Sequence, residues 1–478
     1  MTWAWCIQAG FVVAIAVYWL AALWAAPFDP NYTSSELYDW LVAWVHGTSL
    51  YQAPLAPPYR VVNYPPGFAW LARVGLAAGL SPLWAGRAAS GVGLAVVLGL
   101  LWRWGRAVGL TRGAAWALLG VLGSSFYVLF SLGQAQLQWP AVACSLAGMY
   151  LLRAPQQRRQ VAAAGCLLTL ACFIKQTQCL SALIGLLWVW RRYRPWLQTY
   201  VVAAVVTALS GAALLTLVWG GEVWRHTVSW AVGSPSLVQC LQTLYENLLP
   251  WSGWCGLGIW LASRRPAARQ DLRWWYFAGS SVWWLASVRQ GIAGPNFLEW
   301  SCATLLWVWP QVRNPDVVCR AVWARRSLCG LLVVQLLAAD VIVVGRIVYS
   351  AERLRRDVAQ LPALCAVLPS APGLIVTEDV AVVRQCGREP ASYPFIMANL
   401  ARRGLWDETA FVTMLRAGAF PALLLPFAPP TAARWVQAQR WTEAMRLAMA
   451  EGYRLHATIG RWYLLVPRAR DLDAVAVP

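Results

Sequence analysis

Long hydrophobic runs separated by short arginine-bearing loops fill the first 350 residues, and no other feature constrains the fold as strongly. Seventeen arginines sit in five of these loops: Arg103, Arg106 and Arg112; Arg153, Arg158 and Arg159; Arg191, Arg192 and Arg194; Arg264, Arg265, Arg269 and Arg273; Arg313, Arg320, Arg325 and Arg326. The hydrocarbon core of a bilayer asks for roughly 20 apolar residues from each perpendicular helix, so the runs read as membrane spans. Cations gathered on one set of loops mark the inner side. The formal charge of +19 would suggest nucleic acid in a soluble protein, but confined to these loops it follows the positive-inside pattern, and no nucleic-acid partner is expected. With 59% hydrophobic and 12% charged residues and a mean hydropathy of +0.50, most of the chain is solvated by lipid.

The runs place spans near residues 4–25, 82–101, 114–133, 137–152, 160–174, 177–190, 197–219, 248–263, 274–289, 298–311 and 327–350. This gives about eleven spans, with the N-terminus inside and the tail outside. Several are short, so broken helices are expected among them. The n-region MTWAWCIQAG carries no lysine or arginine, which favours a retained signal anchor over a cleaved peptide. Of nine acids before residue 351, Asp271 and Asp316 fall on inner loops and Asp340 inside the last span. Asp29, Glu36, Asp39, Glu222, Glu246 and Glu299 are all assigned outside, where acid or base chemistry is then available.

Two regions do not read as plain spans. The outer loop 27–80 is too long for a connector. Within it, YTSSELYDWLVAWVHG has apolar residues at Leu37, Trp40, Leu41, Trp44 and Val45, the spacing of an amphipathic interfacial helix that Gly47 ends. APLAPPYRVVNYPPG should run extended, and a second helix over 67–79 completes the loop. Residues 351–478 carry fifteen basic and eleven acidic side chains and read as a small extracytoplasmic α/β domain after the membrane domain 1–350. Its expected strands are 374–377, 422–426, 453–459 and 461–467, with helices over 405–417 and 440–451. Twelve cysteines without a CxxC pair and only three histidines leave no zinc spacing, and neither metal nor cofactor is expected. Cys365 and Cys386 share the tail, either bonded or as free thiols. The 33 tryptophans read mainly as interfacial belts and lipid-facing surface.

Of the 39 basic side chains, 38 are arginine (39 minus the single lysine), and Lys175 sits in FIKQTQ where a hydrophobic run ends. A cation kept at that depth either marks the edge of a span or meets an anionic partner such as a lipid-linked phosphate. Further polar groups are assigned to the same outer rim: the acids of the first loop, Gly133-Gln134, Gln176-Thr177-Gln178, Arg225 with His226, and Asn296 with Glu299. Amides such as Gln134 and Gln176 need partners near lipid, which points to a polar cavity.

The order of these motifs resembles a known family. A first span, an outer loop bearing an acid, YPP, GQ, a KQT turn, GPNFLE and an outer α/β tail together look like the GT-C-fold glycosyltransferases, over nearly the full length. The similarity is to family 39-like and family 87-like members, relatives of the protein O-mannosyltransferases and the lipid A aminoarabinose transferases. The resemblance implies transfer of a hexosyl or pentosyl group from a polyprenyl-phosphate carrier to a lipid, glycan or protein hydroxyl on the outer face, with inversion. It places the general base at Asp29. The family's Asp-Tyr-x-Glu-like stretch reads NYTSSE here, with Asn31 at the Asp place, so Glu36 and Asp39 stay open as alternatives. Lys175 would hold the carrier phosphate with Arg289 or Arg225 assisting. Asn296 and Glu299 would orient the acceptor, brace Lys175 or cap a helix. Tyr64-Pro65-Pro66 matches a pattern that often begins with lysine, and no DxD motif is present.

Other classes compete: a lipid-linked saccharide flippase or transporter, an O-antigen polymerase or ligase, and a non-catalytic scaffold. Transporters usually carry inverted repeats and mid-bilayer sites, and neither is evident here. Heavy arginine use suggests a GC-rich bacterial genome, which places the protein in a bacterial inner membrane with its tail in the periplasm or an equivalent space.

Overall fold

The computed structural model describes residues 2–231, 241, 249–264, 270–288, 293–313, 322–427 and 440–468. Two compact units emerge. One comprises Met1–Trp24, Tyr64–Val223 and Pro235–Ala351; the other comprises Ala25–Asn63, Trp224–Ser234 and Glu352–Pro478.

The first unit is helical. Pro82–Ala107 and Arg194–Trp219 are long and apolar enough to cross a membrane. Within Leu197–Trp219 only Tyr200 and Leu215 are buried, while Val202, Val206, Leu209 and Leu217 are exposed, a surface suited to lipid rather than water. Helices Gln138–Leu152 and Arg158–Ile174 pack together, and Pro82–Ala107 lies against the first of them. Gly93 permits that approach, because a Cβ there would fall on the backbone of Trp139 and Pro140.

Three sequence expectations change in this unit. The run 114–133 is not one helix but two, Arg112–Gly123 and Phe126–Ser131, parted at Ser124-Ser125. The Gln8 amide donates to Ser124 Oγ at 2.7 Å, and both side chains bond to Asp340, so the break brings a hydroxyl to a buried carboxyl. That span, expected at 327–350, belongs to a helix running from Val322 to Val367, because AERLRRDVAQL continues with strong helix formers. Finally, many tryptophans face inward: Trp104, Trp139, Trp254, Trp284, Trp300, Trp307 and Trp309 are fully buried. Some interior indoles find backbone carbonyls, as Trp307 does with Gly258 (3.0 Å) and Trp309 with Ala114 (2.9 Å).

The second unit is built on a five-stranded sheet in the order β2-β1-β3-β5-β4, with β1 Leu374–Thr377, β2 Glu389–Pro390, β3 Ala422–Leu425, β4 Tyr453–Ile459 and β5 Trp462–Pro467. β1 runs parallel to β2 and β3, with Ile375 opposite Ala422; β5 is antiparallel to β3 and β4, with Leu465 opposite Leu423. The two-residue β2 and the short helices Val380–Gln385 and Pro394–Arg402 are absent from the sequence expectation, since runs this short carry little periodicity. Cys365 and Cys386 are joined by a disulfide.

Part of the first loop, Ala25–Asn63, belongs to this unit. Tyr59 and Val61 enter the core formed by Val376, Met397, Phe411, Leu423 and Leu465. Tyr59 also bridges to Ser392, its N–H donating to the Ala391 carbonyl at 2.8 Å. The helix Tyr32–Val45 buries Ser34, Ser35, Glu36 and Asp39 as well as Leu37, Trp40 and Leu41, so it is embedded in protein rather than laid on an interface. Its anchor is Asp39, which is wholly buried. Arg60 Nε donates to it at 2.9 Å, Arg384 and the Tyr393 hydroxyl donate to it as well, and both guanidinium groups reach Glu389. Removing one partner of such a cluster leaves buried charge uncompensated, so Asp39→Asn should destabilise this unit by about 3–5 kcal/mol, read as earlier thermal unfolding of the purified full-length protein.

Candidate active site

In the helical unit the chemistry gathers around one carboxylate. Lys175 ends the helix Arg158–Ile174 in an extended conformation (φ −147°, ψ 115°), and a single 3-10 turn, Gln176–Gln178, leads into Cys179–Arg192. The interruption sets a buried ammonium, 1% exposed, where a continuous helix would have passed. Glu299 is its electrostatic partner. Glu299 lies within the helix Ala293–Arg313 and accepts hydrogen bonds from Ser181 Oγ, from the Tyr276 hydroxyl at 3.0 Å and from the Gln178 amide, which excludes a capping role. Gln178 Oε1 in turn accepts from Ser145 Oγ at 2.6 Å. The sequence pointed to Lys175 and Glu299; Ser145, Ser181 and Tyr276 sit on apolar helix stretches and carry no local signal.

The other helical-unit candidates are placed as follows. Tyr64 is half-buried ahead of Pro65-Pro66 and the helix Gly67–Ala77. Gln134 is fully buried, and its amide donates to the Phe130 carbonyl, so it closes the turn at Gly133 (φ +75°). Gln176 is part of the 3-10 turn beside Lys175. Asn296 lies in the helix Ala293–Arg313, but its side chain is outside the described residues, as is the whole of Arg289.

In the α/β unit the site candidates are acids of the first loop. Asp29 is 1% exposed, and its backbone carbonyl accepts from Ser35 Oγ at 3.0 Å. Asn31, at the place of the family's acid, caps the helix Tyr32–Val45: its Oδ1 accepts from Thr33 N–H at 2.9 Å. Asp39 is committed to Arg60 and Arg384, which removes it from consideration as a base. Glu36 differs from Asp39, although both lie on one helix face. Its carboxylate accepts from the Tyr32 hydroxyl, and among the described residues Oε1 has no hydrogen-bond partner. Burial pushes its pKa up from 4.5 to about 8, Asp39 adds to the rise, and the Tyr32 hydrogen bond and Arg440 oppose it. Arg440 also pairs with Glu378 at 2.5 Å and lies over the Tyr32 ring.

Arg225 is exposed, with its guanidinium 6.0 Å from the Trp230 ring centre. His226 beside it is buried. Val62 N–H donates to Nδ1 at 3.2 Å, and Nε2 lies 2.9 Å from the Gln52 carbonyl, which fixes a neutral tautomer. Burial is the main cause of its pKa falling to about 4. It therefore pins the proline-rich loop and does not titrate near neutrality.

This combination of a helical bundle and an α/β unit has the GT-C fold, the fold of polytopic membrane proteins. Solved structures bear this out. ArnT from Cupriavidus metallidurans, bound to undecaprenyl phosphate, matches with a TM-score of 0.58 at 15% identity, covering 95% of this chain and 97% of that one. The archaeal oligosaccharyltransferase AglB from Archaeoglobus fulgidus, in complex with an inhibitory peptide and a dolichol-phosphate, matches with a TM-score of 0.52 at 11% identity, covering 98% of this chain and 74% of that one. No family model and no curated protein sequence matches the chain.

The Glu36 shift has a stability consequence. The folded unit holds a proton that the unfolded chain releases above about pH 4.5, so this contribution is full below that value and lost as pH rises through about 8. Glu36→Gln should flatten the stability profile across this window and unfold later than wild type at pH 9, as measured by thermal unfolding across a pH series.

Proposed function

We propose that the protein is a membrane glycosyltransferase that moves a sugar from a polyprenyl-phosphate carrier to an acceptor hydroxyl on the outer face of the membrane. The observation that carries this reading is the buried Lys175 beside Glu299, in a fold shared along 95% of the chain with a transferase structure that holds undecaprenyl phosphate. A phosphate leaving group needs a fixed cation whose charge is not screened by water. Lys175 supplies it, Glu299 fixes its position, and Ser181 and Tyr276 hold the Glu299 carboxylate in turn. Asp29 or Glu36 takes the proton from the acceptor hydroxyl as its oxygen attacks the anomeric carbon. The carrier phosphate departs from the opposite face, so one displacement inverts the centre. Arg289 or Arg225 assists at the phosphate, and Tyr64, Gln134 and Gln176 support the substrates. The 351–478 tail is extracytoplasmic in this reading, and the membrane is a bacterial inner membrane.

The test is release of polyprenyl phosphate by lipid-reconstituted protein from a panel of polyprenyl-phosphate sugars. Lys175→Ala should lower release about 100-fold or more, with the helical content preserved. A base must be deprotonated to act. If Glu36 is the base, the rate climbs as pH rises through about 8 and Glu36→Gln abolishes release; if Asp29 is the base, that limb is missing and Asp29→Asn abolishes release. Donor binding without release by wild type would overturn the transferase reading in favour of a flippase.

A further inference from the structure

A cavity of about 470 Å³ lies within the helical unit, its lining including Trp104, Arg153, Trp188, Arg192, Asp271 and Arg273. It shares no residue with the cluster around Lys175 and Glu299. Four of the arginine-bearing loops contribute to it, at the end of the unit that the charge pattern assigns to the inner side. The volume falls in the range that holds a small ligand or a lipid headgroup.

The buried lining atoms left without hydrogen bonds are all of one kind. Among the described residues, Trp104 Nε1, Arg153 Nε and Arg273 Nη1 are buried without a hydrogen-bond partner. Trp104 is itself fully buried. All three atoms are donors, and a buried donor left unmade costs about 1–3 kcal/mol, so their joint presence around one cavity calls for a ligand rich in acceptors. The other indole, Trp188, already donates to the Leu152 carbonyl at 3.1 Å.

Charge points the same way. The one carboxylate in the lining, Asp271, is held by Arg273, whose Nε is 3.0 Å from each of its oxygens and whose backbone N–H donates to it at 2.9 Å. That pair is internally neutral. Among the described residues no carboxylate pairs with Arg153, whose guanidinium stacks 5.1 Å from the Tyr150 ring centre, or with Arg192. The cavity therefore presents two uncompensated guanidinium groups and a set of unmade donors. We infer that it binds a phosphate-class anion, either the headgroup of an anionic lipid or a soluble phosphate compound. Guanidinium forks suit phosphate oxygens, and an anionic headgroup is what a basic pocket near a membrane surface selects.

Calorimetric titration of the detergent-purified full-length protein tests this, using dioctanoyl phosphatidylglycerol, dioctanoyl phosphatidylcholine and inorganic pyrophosphate as probes. Phosphatidylglycerol, pyrophosphate or both should bind, while phosphatidylcholine should not. Arg192→Gln, at an exposed position that does not threaten folding, should weaken binding about tenfold, and Trp104→Phe should weaken it in the same direction. Arg159→Gln, exposed in the first turn of the helix Arg158–Ile174 and not lining the cavity, should leave binding unchanged. Binding of the lipid alone assigns a headgroup site, and binding of pyrophosphate alone assigns a soluble ligand. The proposal falls if neither anion binds, or if Arg159→Gln weakens binding as much as Arg192→Gln does, since that would describe a diffuse basic surface.

Discussion

Burial of carboxylates against guanidinium groups holds the α/β unit together and decides what its acids can do. Asp39 has no solvent exposure and receives two arginines and a tyrosine hydroxyl, drawn from the first loop, from Val380–Gln385 and from the start of Pro394–Arg402. Such a cluster adds little beyond what an apolar substitute of equal volume would give, because desolvation offsets the Coulomb gain. Its value lies in selectivity: any other packing of Tyr32–Val45 would strand a charge. Glu36, three residues earlier and so on the same face, is buried as deeply with weaker compensation. One helix thus carries an acid held between two arginines and another that keeps its proton to about pH 8.

The helical unit meets the same difficulty in a different way. Lysine is worse suited than arginine to a buried pair, since its ammonium is a strongly hydrated point charge. Here the chain stops one helix at Lys175 and restarts with a 3-10 turn, which frees backbone and amide groups beside the cation, and it gathers three neutral donors on Glu299. Hydroxyls on apolar helices then do work that in water would fall to solvent.

Much of this was legible in the sequence, for identifiable reasons. The arginine loops and apolar runs gave the helical membrane class, and LIVT, ALLL and YRLHATI read as strands because they are β-branched or aliphatic and bounded by turn residues. Lys175 stood out by its rarity, and Glu299 by an acid beside an apolar run. What stayed hidden depends on distant partners. The break at Ser124-Ser125 reflects Gln8 and Asp340, which no local window contains. Many tryptophans assigned to lipid belts are interior, where they pack against one another and against other helices, and some, such as Trp307 and Trp309, donate to carbonyls of distant helices. The difference between Asp39 and Glu36 rests on Arg60, Arg384 and Arg440, the last two several hundred residues downstream. Asn31, which looks like a lost acid, is a helix cap.

The span between Asp39 and Arg384 also sets an order of events during synthesis. These two residues are 345 positions apart, and Tyr59 pairs with Ser392 at a similar remove. At ribosomal rates of about 5–20 residues per second, roughly 20–70 s pass between the emergence of the first loop and that of its partners. Through that interval Asp39 and Glu36 have only water for company, and the loop has no core to join. The α/β unit is therefore assembled from the two ends of translation, and any nascent chain that stalls before Arg384 leaves an unfinished first loop for quality control to recognise.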